Sequence, residues 1–295
     1  HGMNIGGLSV GGFNNYKEMC ASVLMPGVQH MRHTLLPEHK FIKGQPDTGA
    51  ELADDLELIA NKFEGEIAAC IIEPIAGSTG ILVPPKGYLN RLRKICDKHG
   101  ILLIFDEVIT GWGRTGSPFA AQEFNVTPDI MTLAKATTNG VVPMGVVAVR
   151  DGIYDTVMDS APEGAIELFH GYTYSGIPAA VAAALAVQDI FERENIFKKV
   201  KEISPYFQEA LHSLRDLECV ENIRSYGLLG GVDIKKKDKP GKAGFQVYKA
   251  CYENGVNLKA TADALVLAPP FISEKKHIDE IFDKIRKGIN QYIKH

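Results

Sequence analysis

The chain lacks any uninterrupted apolar run long enough to span a bilayer; the nearest candidate, the alanine-rich stretch 179–190, falls short of the ~20 residues a membrane helix needs. No signal peptide is recognisable, and a membrane role is not expected. It also lacks a C-x-x-C pair. The five cysteines, Cys20, Cys70, Cys96, Cys219 and Cys251, are odd in number and scattered, which argues against a disulfide framework and a zinc site and makes a reducing cytoplasm the expected location. Charge of one sign is not in excess: the net charge is -4 with basic and acidic residues interspersed, so no nucleic-acid footprint stands out. The one basic cluster, 235–239, contains Asp238 and reads as a solvated hairpin tip. Neither G-x-G-x-x-G nor G-x-x-x-x-G-K-[ST] occurs, and the glycine pairs at 6–7 and 11–12 read as a flexible loop. No initiator methionine stands at position 1 and no strand precedes this loop, so the chain is expected to begin inside a larger architecture.

What is present is a chain of 295 residues, 45% hydrophobic, ample for one large or two ordinary domains with a real core. Leu52, Leu56, Ile59 and Phe63 recur at helical spacing and predict an amphipathic helix over 49–63. A strand at 67–74, a helix at 88–99 burying Leu89, Leu92, Ile95 and Cys96, and the apolar run 101–105 make a βαβ unit. Strands at 131–135 and 145–150 extend it, which predicts a parallel or mostly parallel α/β sheet covered by helices. Pro178 opens a long alanine-rich helix to about 194. Beyond it come a helix at 197–214, strands at 219–225 and 228–234, a helix near 245–254, strands at 256–259 and 265–268, and a terminal helix at 274–293, the pattern of a smaller α+β domain. The expected division is a large domain, 1–190, that is incomplete at its N-terminal side, and a small C-terminal domain, 191–295, with the boundary inside the alanine-rich helix.

The chemistry centres on 101–140. The run ILLIF is followed at once by Asp106-Glu107, so the carboxylates sit at the carboxyl end of a strand, where open α/β sheets bind ligands. Lys135 directly follows the next buried strand; a long amine on an apolar support has its charge disfavoured and becomes nucleophilic. Taken alone, an apolar strand ending in Asp-Glu also describes the metal-positioning strand of P-loop ATPases, which would need a glycine-rich lysine loop. Asp106 followed 29 positions later by Lys135 meets another need, that of pyridoxal phosphate: a buried carboxylate against the protonated ring nitrogen and a lysine that holds the cofactor as a Schiff base.

The segments IFDEVITGWGRTG, TPDIMTLAK, NGVVPMG and HGYTYSG resemble the class III aminotransferases of the fold-type-I pyridoxal phosphate family, and within them the ω-amino acid:pyruvate aminotransferases. The resemblance runs essentially from His1 to the last helix but covers only the family's central and C-terminal parts. It implies that a glycine-serine loop for the cofactor phosphate belongs to the part not matched, as does a ring-stacking tyrosine just before His1-Gly2. Carried over by position, Lys135 is implied as the Schiff-base lysine and proton carrier of the 1,3-shift, Asp106 as the partner of the pyridinium nitrogen, and Val108 as the residue packed on the ring face. Glu73, of the family's E-P motif, is implied to support Asp106, while Glu107 reads as structural. Thr173 matches a threonine that reaches across a dimer to the cofactor phosphate, which implies a homodimer with shared sites.

The same resemblance places Lys259 where relatives carry an arginine for the substrate carboxylate. Lysine keeps the charge but loses the planar two-point grip, which implies a looser hold on a carboxylate or a preference for plain amines. Ser78 stands where relatives that use a glutamate-type acceptor have a glutamate, so pyruvate is the implied acceptor. The expected reaction transfers an amino group from a small-molecule ω-amino acid or amine to a keto acid in two half-reactions. A non-catalytic fragment that has lost the phosphate cradle, and another class III enzyme such as an aminomutase, are the alternatives.

Overall fold

The computed structural model describes residues 2–236 and 239–294. Lys237 and Asp238, within the basic cluster read as a hairpin tip, lie outside the described residues, as does His1. The stretch expected as a flexible loop forms two short helices instead, α1 (Ile5–Val10) and α2 (Asn14–Met19). The Asn4 side chain accepts from the Gly7 N–H at 2.7 Å and starts α1 in spite of its glycines.

After α3 (Asp54–Lys62), β1 (Ala69–Ile72), α4 (Tyr88–His99) and β2 (Leu102–Asp106) form the expected βαβ unit. Helix α4 stops at Gly100, whose φ of +67° is a left-handed cap that glycine adopts without strain, with Lys98 and His99 in its last turn. Its apolar stripe, Leu89, Leu92, Ile95 and Cys96, packs with Leu52 and Leu56 against Leu103 and Phe105 of β2. Burial of each large side chain of this kind contributes about 1.5–3 kcal/mol.

A one-turn helix α5 (Ala120–Glu123), β3 (Ile130–Leu133), β4 (Val146–Val149) and α6 (Asp151–Asp159) follow. The sheet order is β1-β2-β3-β4, with β1, β2 and β3 parallel and β4 antiparallel. The mostly parallel sheet is therefore as expected, and β1 is an edge strand. Asp129 knits the sheet to its helix: its carboxylate accepts from the Leu103 N–H at 2.7 Å and pairs with Arg93 of α4 and with Arg150, just past β4.

The second sheet has the order β5-β6-β8-β7 and is antiparallel throughout: β5 (Val220–Tyr226), β6 (Leu229–Ile234), β7 (Lys259–Thr261) and β8 (Ala264–Leu267). Helices α7 (Pro178–Arg193), α8 (Ile196–His212), α9 (Lys242–Glu253) and α10 (Lys275–Lys294) cover it. Strand β7 begins at Lys259, not at 256 as expected, because the Val256 N–H is taken by the Cys251 carbonyl where α9 closes. Val187 and Phe191 of α7 belong to this second core, and so does Phe41 from the early part of the chain.

The two layers meet tightly. A Cβ at Gly231 of β6 would lie 2.2 Å from the Gly80 carbonyl oxygen, so only glycine fits there. That oxygen also accepts from Arg224 Nε (3.1 Å) and Nη2 (2.8 Å), and the guanidinium is held in turn by Asp233. Gly227 similarly lies against the Arg114 carbonyl. No helix among the described residues is long and apolar enough to cross a membrane.

Candidate active site

Register alone brings three chemical groups together. Ile72 pairs with Phe105, so Glu73, the next residue, lies beside Asp106; Asp106 pairs with Thr132, and Lys135 follows three residues on. The carboxyl ends of three adjacent parallel strands thus deliver a carboxylate, a carboxylate and an amine to one edge of the sheet. Glu73 and Asp106 line a cavity of about 580 Å³ that runs along the outer side of β1.

Asp106 is buried, and its Oδ1 accepts from the Val108 N–H at 3.0 Å, which fixes the carboxylate's plane. Lys135 is exposed in the single chain rather than buried, yet partial desolvation of its amine lowers its affinity for a proton, with nearby Lys259 adding to the effect, while Asp106 and Glu73 oppose it; the net shift is downward. Burial raises the Glu73 carboxyl, as does the charge of Asp106, against the stabilising N–H of Gly77 at 2.9 Å. Expected site residues Lys135, Asp106, Glu73 and Lys259 therefore act on one another electrostatically, with Val108 tied to Asp106.

Glu107 has a different task. It is fully buried, and its carboxylate accepts from the N–H groups of Ala120 (2.8 Å) and Ala121 (2.7 Å) and from the Thr110 hydroxyl (2.9 Å). It caps α5 and leaves the ligand edge to Asp106, in line with the structural reading. Thr173 lies in an exposed turn, between Tyr172 and Tyr174, and is not part of this cluster within the one chain.

Backbone strain gathers at the same edge. Ile81, Trp112 and Lys135, on the segments that follow β1, β2 and β3, have φ of +58°, +63° and +47°. A left-handed backbone costs a residue with a side chain about 1–3 kcal/mol and persists only where its surroundings impose it. Two residues that sequence reasoning passed over form hydrogen bonds beside Lys135. Trp112 Nε1–H donates to Thr137 Oγ1 at 2.9 Å, and the Thr137 hydroxyl donates to the Ala134 carbonyl at 3.0 Å. The signal was available: the single tryptophan of the chain stands between two glycines in the same motif as Asp106. Arg114, also in that motif, is half-buried, donates to the Pro269 carbonyl at 2.5 Å and stacks on Phe271; desolvation lowers its pKa to about 10.

A buried carboxylate on a cavity wall, with an amine of lowered proton affinity at the neighbouring strand end, matches the donor set that a protonated pyridine nitrogen and an aldehyde carbon require. Comparison with known proteins agrees. The family profile of class-III aminotransferases matches residues 1–289, and the chain belongs to that family. An omega-aminotransferase of Caulobacter vibrioides is 48% identical over 294 residues, 99% of this chain and 66% of that protein. A beta-alanine–pyruvate aminotransferase of Pseudomonas aeruginosa is 44% identical, over 98% of this chain and 65% of its own length. Among solved structures, the omega transaminase of Pseudomonas jessenii in complex with PMP superposes with a TM-score of 0.91 at 28% identity, covering all of this chain and 66% of the other. The chain thus spans just under two thirds of the length of these curated relatives. The P-loop reading that the strand alone left open is not favoured.

Proposed function

We propose that this chain carries the amine-transferring residues of a pyridoxal phosphate-dependent aminotransferase that moves an amino group from an ω-amino acid of the β-alanine type, or from an amine, to pyruvate by a ping-pong mechanism. The observation that carries the reading is the delivery of Glu73, Asp106 and Lys135 by three adjacent parallel strand ends. Similarity to omega-amino acid–pyruvate and beta-alanine–pyruvate aminotransferases supports the substrate class.

When bound, the cofactor supplies an electron sink for the carbon that loses its proton. The chain's own residues do the rest. Lys135 Nζ would hold the cofactor through its carbonyl carbon and, once displaced by substrate, would act as the base that takes up the proton and the acid that returns it across the nitrogen in the 1,3-shift. Its lowered proton affinity suits it to do so, because a larger share is neutral at a given pH. Asp106 would keep a proton on the ring nitrogen through a charge-assisted hydrogen bond, with Glu73 supporting Asp106 and Val108 offering an apolar contact to the ring. Lys259 offers its ammonium to the substrate carboxylate.

Thr173 is assigned to the cofactor phosphate of a second copy in a homodimer. The exposed apolar residues flanking it, Phe169, Tyr172 and Tyr174, support an interface there. Residues 1–190 are assigned to the cofactor-binding domain and 191–295 to the small domain. The five cysteines are all free, which supports a reducing, cytoplasmic location.

The test is direct. The purified chain is mixed with pyridoxal phosphate, reduced with borohydride and digested. A stable pyridoxyl adduct on Lys135, lost in Lys135→Ala, is the expected result; no adduct, or adducts spread over surface lysines, would identify a non-catalytic fragment.

A further inference from the structure

Lys135 holds its left-handed backbone without the freedom of glycine, so something around it must supply the constraint. Its own turn contributes three backbone hydrogen bonds: Gly140 N–H (3.2 Å) and Thr138 N–H (3.4 Å) donate to the Lys135 carbonyl, and Thr137 N–H to the Ala134 carbonyl at 3.0 Å. The second constraint is a side chain. The Thr137 hydroxyl doubles the grip on the Ala134 carbonyl, the group immediately before Lys135, and its orientation is fixed because its oxygen accepts from the Trp112 indole. Thr137 is almost wholly buried, at 2% exposure, so water does not replace either partner.

Trp112 is itself anchored on three sides. Its main-chain N–H donates to the Pro118 carbonyl at 2.6 Å, and its ring packs edge-on against Phe119 (5.2 Å) and against Phe191 of α7 (6.4 Å). It stands six residues after Asp106, on the same connecting segment. The indole therefore links the segment that leaves Asp106, the turn that presents Lys135, and a helix of the second core.

We propose that Trp112, acting through Thr137, is a positioning residue that imposes the left-handed conformation on Lys135 and so aims its amine at Asp106 and Glu73. The inference takes Lys135 as the reactive amine and rests on the reading above to that extent, but its consequence belongs to the cofactor-free chain. Lys135 is exposed in the single chain, so what the turn fixes is the direction of its amine; if the turn relaxes, the amine moves out of its partly desolvated setting beside Asp106 and Glu73. The groups that face it are Asp106 and Glu73, which favour the charged form, and Lys259, which disfavours it; the dominant influence is partial desolvation. Release into water raises the proton affinity of Nζ.

The experiment measures acetylation of Lys135 in the cofactor-free chain as a function of pH, read by mass spectrometry, for wild type, Trp112→Phe, Thr137→Val and Thr137→Ser. The alkaline plateau reports access and the midpoint reports proton affinity, so the two are separated. Phenylalanine keeps ring packing without the indole donor, and valine matches threonine in shape without the hydroxyl. We expect both to move the Lys135 midpoint upward, so that its rate at neutral pH relative to plateau falls about threefold or more. Serine should restore the wild-type profile, and the profiles of the other lysines should not move. A general loosening of the fold would instead raise the labelling of many lysines, and that result, like an unchanged Lys135 midpoint in a folded Thr137→Val chain, overturns the proposal. Should Trp112→Phe fail to fold, Thr137→Val and Thr137→Ser decide the matter. Pyridoxal phosphate trapping on wild type tests the catalytic reading separately, since Lys135 could fail to take the cofactor and still show this dependence.

Discussion

At the scale of single residues, the site follows from placing chemical groups at strand ends. Asp106 and Lys135 were legible because each directly follows a short apolar run, and a parallel sheet brings such positions to one edge whatever its loops do. Trp112 and Thr137 were not legible. Their importance lies in a hydrogen bond between two connecting segments, and no periodicity records such a contact. Lys259 is assigned through resemblance alone, since an exposed lysine at the start of an edge strand carries no signal of its own. Its assignment has a kinetic consequence. In the complete holoenzyme, Lys259→Ala should raise the KM for a carboxylate-bearing amine donor about tenfold, the value of one charge-assisted contact, and leave that for a carboxylate-free amine nearly unchanged. Steady-state kinetics with β-alanine and a simple alkylamine checks this; equal changes for both donors would remove Lys259 from the substrate site.

At the scale of secondary elements, the parts read correctly were those with a buried face. Helices α4, α8 and α10 bury regular stripes, and β1 to β3 are short apolar runs. Helix α6 went unread although Ile153, Tyr154, Val157 and Met158 recur at helical spacing, and none of them is buried within the chain. Helices α1 and α2 were hidden by paired glycines, which lower helix propensity, and only the Asn4 cap pointed the other way. Asp129 shows how elements are joined by charge. Despite its burial, the Leu103 N–H, Arg93 and Arg150 hold its carboxyl below the usual range. A depressed folded-state pKa contributes stability that is present above the unfolded value and lost as pH falls through the folded one. Asp129→Asn should therefore cost about 2–4 kcal/mol at neutral pH and flatten the loss of stability on acidification, as measured by urea unfolding over a pH series. An unchanged acid limb would mean that other carboxylates carry it.

At the scale of the whole molecule, the two sheets are held by contacts that leave no room for a side chain. The Gly80 carbonyl rests on Gly231 and is gripped by Arg224, while the segment that contains Gly80 begins at the end of β1, beside Glu73. Gly231→Ala should force the layers apart by the difference between 2.2 Å and an ordinary contact. The expected cost is about 1–3 kcal/mol, seen as a lower thermal midpoint without loss of helical signal. An unaltered midpoint would show that the layers shift freely against one another. The architecture itself was legible at this scale, because alternating strands and helices leave few topologies; the closeness of the interface was not, since glycine in a sequence does not say what approaches it.

The outer edge of β1 has a bearing on how the molecule must be handled. Its main-chain groups on that side have no neighbouring strand among the described residues, and the residues that carry them are mostly apolar. Such an edge is a template for pairing, and another copy in an unfolded or partly folded state is the partner most often to hand. Any strand that adds along it, from whatever source, ends its ladder next to Glu73. Glu73 is one of the charges that act on Lys135, so a strand added along this edge, or a substitution chosen to make the edge more soluble, lies one residue away from that electrostatic setting.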